Sequence, residues 1–366
     1  MSTNTILLTA AMQAFKERKK PTTHMMGFFP EKTYGTSIIP IAVQRATGYA
    51  SVDVVRGTNG NLNSFSKWSE KEIMAPEYHE KFSINALRSY SRGFGGDFNS
   101  TPQSVRVEIA NEIADGLMSI QDMIVRAQEI QCVQALETGI VTLVNQDSID
   151  YRRKADSVVD CATTLGGYWD VNAPIEKQLQ YAANFIRQVG NNSATTFDIT
   201  MSGNAWIALK NTNFFKTTAN YQQVTLLAIG NPVGRNGADF HGQITAGSAI
   251  FRIWTYDAVY DKVVNNVTTT TRLTDETKVV ITPVEGAKFE MAYGAIDGIV
   301  KSSGASAMSG VRIEKIKADY FAWDNVDLEN RNHLMHMVSS PIARLITVDQ
   351  VVTLKVVADF NDIQTI

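Results

Sequence analysis

The sequence predicts an α+β fold, and three stretches predict it. From Val105 to Ala127 apolar residues return every three or four positions, as one long amphipathic helix requires. From Asp239 to Ile299, and again from Met335 to Val357, the chain turns to short β-branched and aromatic runs parted by turn residues, the pattern of strands. Between Thr36 and Leu87 lies a β-rich but polar excursion. A two-stranded ribbon of that composition has no core of its own, so it predicts an arm that must lie on another surface.

The elements follow in order. Ile6, Leu7, Ala10, Ala14 and Phe15 sit at helical spacing, and Pro21 stops that helix after a basic end of Lys16, Arg18, Lys19 and Lys20. So short a helix is marginal alone and is expected to dock on something. Met25 to Pro40 is Phe-rich and broken by Pro, which suits a clamp-like extended strand. In the arm, strand-like runs Tyr49 to Val55 and Tyr78 to Leu87 flank a middle, Arg56 to Ser66, whose Gly57, Asn59, Gly60, Asn61 and Asn63 tolerate positive φ. Gly93, Gly95 and Gly96 form a hinge before the long helix.

Ser100 or Thr101 caps that helix, and Pro102 fits its first turn, where a missing N–H is harmless. Its stripe is Val105, Ile109, Ile113, Leu117, Ile120, Ile124 and Ala127, continuing less cleanly toward Leu136 and Ile140. Glu108, Glu112, Asp115, Asp122 and Glu129 form the expected polar rim. After a polar, irregular Asp147 to Gly167, Asn172 and Pro174 open a second helix with the stripe Ile175, Leu179, Ala182, Ala183, Ile186 and Val189, closed by Gly190. Phe197 to Met201 is a strand, Ser202 a cap, and Ala205 to Phe215 a third helix. Strands are expected at Ala249 to Tyr256, Lys278 to Pro283, Lys288 to Ala295, Met335 to Val338, Ile342 to Val348 and Val351 to Val357, with Thr268 to Thr271 as a polar hairpin tip.

Composition narrows function by exclusion. A formal charge of −3 gives no field that draws the whole molecule to nucleic acid or an anionic membrane. Cys132 and Cys161 match neither a CxxC pair nor a zinc site and read as buried thiols of a reducing compartment. No apolar run reaches membrane-span length, and the basic residues follow the first apolar stretch, the reverse of a signal peptide. His333 and His336, in HLMH, read as solvated or interface histidines before metal ligands, and His24, His79 and His241 have no companion Cys or carboxylate at ligand spacing. Gly304 to Met308 begins like a nucleophile elbow and lacks its final Gly, and Gly93, Gly95 and Gly96 do not complete GxGxxG. Arg152, Arg153 and Lys154, the compact basic triplet in mid-chain, read as a solvated face that could meet acidic residues of a neighbouring subunit. No catalytic, cofactor or metal site is predicted.

Four segments stand in order along the chain: Phe28, Phe29, Glu31, Lys32 and Tyr34 with Ile39 and Pro40; FDITMSGNAWIAL from Phe197 to Leu209; Tyr293 to Ile296 after two strands; and Ser339 to Leu345 leading to Asp349 and the strand Val351 to Val357. Taken in that order they resemble the major capsid proteins of lambda-type tailed phages, the capsid protein E family. The resemblance implies the tailed-phage capsid fold. Residues 1–35 would be an N-terminal arm, 36–90 an extended loop, 91–166 a peripheral domain with a spine helix, 167–300 an axial domain, and 301–366 return strands. It implies a structural protein and not an enzyme, without cofactors, that assembles in a host bacterial cytoplasm into pentamers and hexamers of an icosahedral virion shell. Its partners would be further copies of itself, a portal protein and packaged double-stranded DNA bound without sequence specificity, with no membrane, and a scaffold, a maturation protease and a decoration protein are possible further partners whose use the sequence leaves open. Leu62, Phe65 and Trp68 near the arm tip are then candidate anchors on an adjacent subunit, the other reading being that they pack back on their own arm. Two competing functions are a cellular nanocompartment shell enclosing an enzyme, and an α/β enzyme with a hairpin lid.

Overall fold

The computed structural model describes residues 23–46, 66–85, 102–143, 148–221, 233–264, 267–301, 311–327 and 332–358. Helix α1 (Pro102–Glu137) is 36 residues long, about 54 Å at 1.5 Å per residue. The predicted stripe is its packed side, since Ile113, Leu117, Ile120 and Ile124 are buried. The helix ends three residues before Ile140. Gly139, at φ 76°, turns its amide back to the carbonyls of Gln134 and Ala135 at 3.2 and 3.0 Å, a closure that only glycine adopts without strain. Ile140 is left exposed, paired with Asp150 in a two-residue strand.

The rim divides. Glu112, Asp115 and Asp122 are exposed as expected, whereas Glu129 is fully buried. Toward its C-terminal end α1 is enclosed on both sides, with Gln128, Gln131, Cys132, Val133, Ala135, Leu136 and Glu137 all buried, so its polar face there meets protein instead of water.

A seven-stranded mixed sheet forms the largest layer, in the order Val158–Asp160, Val352–Lys355, Lys278–Pro283, Thr196–Met201, Ala249–Thr255, Ala238–Ala246 and Val233–Arg235. Its central strands Thr196–Met201 and Lys278–Pro283 are buried on both faces, and Asp198, Thr200 and Thr282 are buried there along with the apolar residues. On one face Phe197, Ile199, Met201, Phe251, Ile253, Val279 and Ile281 pack with helix α3 (Ile175–Gln188), which follows the one-turn α2 (Cys161–Thr164). The predicted α3 stripe is buried from Ile175 to Ile186. On the other face Val280, Tyr256 and Ala238 join Cys132, Val133 and Leu136 of α1 and the three-stranded sheet Glu31–Thr33, Phe289–Tyr293, Pro341–Leu345. A third cluster sets Ile113, Leu117, Ile120 and Ile124 of α1 against Met335 and Met337, under a sheet ordered Phe321–Asp327, Asn332–Ser339, Tyr78–Asn85.

Several expected elements come out differently. Tyr78–Asn85 pairs with Asn332–Ser339 and is not half of the arm, whose observed strands are Ile38–Ala46 and Ser66–Met74. The expected strand Tyr49 to Val55 lies outside the described residues, as do the helix from Ile6, the Gly93 hinge and the Gly304 to Met308 loop. Met25 to Pro40 is no single strand: Met25–Phe28 makes a 3-10 turn and Glu31–Thr33 a short strand. The third helix breaks into α4 (Gly203–Asn211) and α5 (Asn213–Tyr221) at Thr212, whose hydroxyl donates to Leu209 O at 2.7 Å and accepts from Phe215 N at 3.2 Å. Ser202 does cap α4, accepting from Ala205 N. The threonine run is a fully exposed strand, Val267–Arg272, paired with Val259–Val264, and not a tip.

Glu137 ends α1 and accepts the Asp275 amide at 2.9 Å. Burial, with the charge of Asp275 acting in the same sense, pushes its pKa from 4.5 up to about 7. Between those values the folded chain keeps a proton that the unfolded chain has lost, so this group's contribution to stability declines as pH rises from 4.5 toward 7. Glu137→Gln, which keeps a carbonyl acceptor, is expected to flatten that part of the profile by about 3 kcal/mol. Urea unfolding across this pH range measures it, and parallel profiles for wild type and variant would refute the assignment.

Candidate assembly surfaces

The arm is an antiparallel ribbon of two nine-residue strands in continuous register from Ile38↔Met74 to Ala46↔Ser66. Its base is anchored on one side only: Ile39 is completely buried, whereas Ile38 and Met74, opposite each other, are 48% and 59% exposed. No third strand pairs with it among the described residues. Both edges therefore present backbone donors and acceptors, a template for further pairing. Leu62 and Phe65 lie outside the described residues, and Trp68 is placed by backbone register alone, opposite Gln44.

Just before the arm, residues 23–34 are tied to the body. The Glu129 carboxylate accepts the amides of Met25 and Met26, each at 3.0 Å, and the hydroxyls of Thr23 and Tyr256. Burial raises its pKa above the ordinary value, against the pull of those donors. His24 packs between Phe28, Trp254 and Tyr256, while Met25, Met26 and Phe29 enter the core. Tyr34 continues the strap, donating to Glu290 at 2.5 Å and accepting from Arg344 at 2.6 Å, with Arg344 and Glu290 themselves 2.7 Å apart. The arm thus leaves a fixed point.

The basic triplet does not act as one face. Arg153 turns inward, its guanidinium bonding Leu136 O at 2.5 Å, Ser157 O at 2.9 Å, Val351 O at 3.0 Å, Thr353 Oγ1 at 3.1 Å and Ser157 Oγ at 3.2 Å. The Leu136 carbonyl is one that the end of α1 leaves without a helical partner, so Arg153 serves as a remote cap. Burial lowers its pKa to about 10, which leaves it cationic at neutral pH. Lys154 reaches Asp349 of the same chain at 3.8 Å. Arg152, at φ 52°, is the exposed member. The expectation of a solvated triplet fails for Arg153 because, beside the nearby Ser157, the carbonyls of Leu136 and Val351 that draw it in lie 17 and 198 residues away in the sequence.

Another surface is the hairpin Val259–Val264 with Val267–Arg272, where Val259 and Val267 are 54% and 63% exposed. Among the described residues no group of three or more His, Cys, Asp or Glu side chains is arranged to hold a metal ion, and no helix is long and apolar enough to cross a membrane. His333 and His336 share the strand Asn332–Ser339 at a spacing of three, which sets them on opposite faces. Cys132 and Cys161 are free and buried, and burial pushes the Cys161 thiol up to about 12, as expected of unreactive thiols.

The structure is similar to that of a prophage protein of E. coli CFT073 assigned as a capsid protein, with a TM-score of 0.58 and 15% identity over 98% of this chain and 99% of that one. It is also similar to a phage-related protein of Bordetella bronchiseptica RB50, with a TM-score of 0.52 and 11% identity over 96% of each chain. These likenesses show the fold, that of tailed-phage capsid proteins. Among curated proteins none matches this chain in sequence. The family model for phage major capsid protein E matches residues 5–356, nearly the whole length, and the chain belongs to that family.

Proposed function

We propose that this capsid protein closes into an icosahedral shell of pentamers and hexamers around double-stranded DNA, with the arm as its principal lattice contact. The observation that carries the reading is the ribbon Ile38–Ala46 with Ser66–Met74, two long strands fixed at one end by Ile39 and the 23–34 strap and, among the described residues, without a further strand along either edge. Such a ribbon gains stability by lying on a neighbour. Obligate interfaces commonly bury on the order of 2,000 Å² or more, and an extended arm reaches that area by spreading burial over several copies. In this reading residues 1–35 are an N-terminal arm, 36–90 an extended loop of which the ribbon Ile38–Ala46 with Ser66–Met74 is the projecting part, 91–166 and 167–300 the peripheral and axial domains, and 301–366 the return strands. The shell forms in the bacterial cytoplasm and becomes the virion head, with the portal protein as partner, a scaffold, a maturation protease and a decoration protein as possible further partners, and no catalytic role for this chain.

Expression of the chain alone, followed by light scattering and negative-stain electron microscopy, tests the assembly directly. Closed shells, tubes or rings of five and six subunits are expected. A particle of 40.4 kDa that stays monomeric at high concentration and with a phage scaffold supplied would overturn the proposal. Leu62, Phe65 and Trp68 are proposed to anchor the ribbon on the adjacent subunit, and Arg152, the exposed member of its triplet, to meet an acidic neighbour. Arg153 and Lys154 are proposed to support that contact from within their own chain. Trp68→Ala is expected to reduce shell yield about tenfold or more while circular dichroism stays that of the wild type, since a buried aromatic anchor is worth about 2 kcal/mol or more. Undiminished shell yield would remove Trp68 from the contact.

A further inference from the structure

The sheet that packs on α1 turns its other face outward, and that face carries two histidines from strands remote in sequence. Tyr78–Asn85 and Asn332–Ser339 run antiparallel with Lys81 opposite His336 and His79 opposite Val338. His79 and His336 are therefore diagonal neighbours on one face, and His79 Nε2 stands 3.1 Å from His336 Nδ1. Trp323, opposite His336 on the next strand, stacks on the His336 ring with centroids 5.1 Å apart and planes 2° apart. It also lies 5.2 Å from the His79 ring. One ring is held by stacking, and the other is exposed and able to adjust.

We propose that His79 and His336 form a two-imidazole chelate for a divalent transition cation of the nitrogen-preferring class, such as Cu2+, Ni2+ or Zn2+, with water in the remaining positions. At a metal–nitrogen distance of about 2.0–2.1 Å, two nitrogens 3.1 Å apart subtend about 100° at the ion. That lies between the cis angle of a square-planar site and the tetrahedral angle. The present contact has the two nitrogens sharing one proton, and a turn of the exposed His79 ring about its soft terminal torsion aims both lone pairs at one point. The shared proton leaves the contact through water for the other nitrogen of the ring that donated it, so that in the chelate each ring carries its proton on the nitrogen away from the ion. For His336 that nitrogen is Nε2, buried and without a partner among the described residues whether or not a cation is bound.

The surroundings decide the strength. Burial, then the proximity of His79 and Lys81, lower the His336 pKa. Lys81 also opposes a dication through its own charge. Two protein ligands define a site weaker than a closed structural zinc centre, and one that clips two strands 257 residues apart in sequence.

Titration of the tag-free, full-length chain with Cu2+, followed by calorimetry and electron paramagnetic resonance, tests the site. One ion per chain with two coordinated imidazole nitrogens is expected, and saturating Zn2+ should raise the melting temperature. His79→Gln, an exposed position, should weaken Cu2+ binding by about tenfold or more and abolish the Zn2+ shift, and His336→Asn should do the same. Lys81→Gln should tighten binding, which a merely structural role for these residues does not foresee. If His336→Asn fails to fold, His79→Gln and Lys81→Gln still decide. Equal affinity in the wild type and His79→Gln, or a signal with fewer than two imidazole nitrogens, overturns the proposal.

Discussion

Replacing Glu129 with alanine is expected to lower the stability of the chain by about 4 kcal/mol and to open residues 23–34 to proteases. The carboxylate is buried and accepts two backbone amides and two hydroxyls at one point on α1. Its raised pKa shows that the ion itself is not comfortable there. The loss in the variant comes from the donors, because each buried N–H or O–H stripped of its acceptor costs about 1–3 kcal/mol. Glu129→Gln keeps one carbonyl acceptor and should lose roughly half as much. Urea unfolding gives the stabilities and limited proteolysis gives the release of the strap. Equal stability in wild type and alanine variant, with residues 23–34 still protected, would show that the strap is held by Met25, Met26 and Phe29 alone. For assembly the consequence is geometric, since an arm that leaves a loosened strap no longer points in a fixed direction.

Arg153→Met should cost about 3–5 kcal/mol, because several carbonyls lose a charged donor at once and each such loss costs about 1–3 kcal/mol. Methionine approximates the length and apolar stem of arginine, so the loss isolates the guanidinium. Without it the carbonyls of Leu136, Ser157 and Val351 lose a donor together, and the end of α1 loses its link to the strand Val352–Lys355. Gly139 belongs to the same unit: a Cβ there would stand 2.5 Å from Arg153 Cδ, so glycine is needed both for its positive φ and for the room the guanidinium stem occupies. Thermal and urea unfolding of the purified chain measure the effect. A change below about 1 kcal/mol, the scale of an exposed ion pair, would mean that Arg153 is hydrated and dispensable.

Much of the secondary structure was legible because its causes are local. The α3 stripe from Ile175 to Ile186, the Ser202 cap and the strand Lys278–Pro283 each follow from residues within a few positions of one another. The long α1 was legible for the same reason, although its end was misjudged: hydrophobic spacing runs on toward Ile140, while Gly139 ends the helix through a backbone conformation that spacing does not encode. The split at Thr212 was missed because a hydroxyl that serves as the end of one helix and the cap of the next looks like an ordinary helical threonine. The assembly surfaces were legible as a polar β excursion but not as a pairing. The strand Tyr78–Asn85 has the composition of an arm strand, and only the complementary strand Asn332–Ser339, far along the chain, takes it out of the arm.

By itself, then, the sequence determined where helices and strands lie, that a ribbon must find a surface outside itself, and, through ordered segments spread over the chain, which family it resembles. The tertiary structure decided which polar groups are inside. Glu129 and Arg153 carry the same patterns as their solvated neighbours, yet Glu129 is buried and the Arg153 guanidinium is drawn inward, because amides and carbonyls from remote segments meet them. Gly116 weakens a helix in isolation, yet a Cβ there would lie 2.4 Å from the Phe82 ring, so its absence is what lets that strand close on α1. His79 and His336 meet for the same reason. Periodicity and capping are energies between neighbours in sequence, whereas burial, strand partnership and the meeting of two imidazoles are energies between residues that only the folded chain brings together.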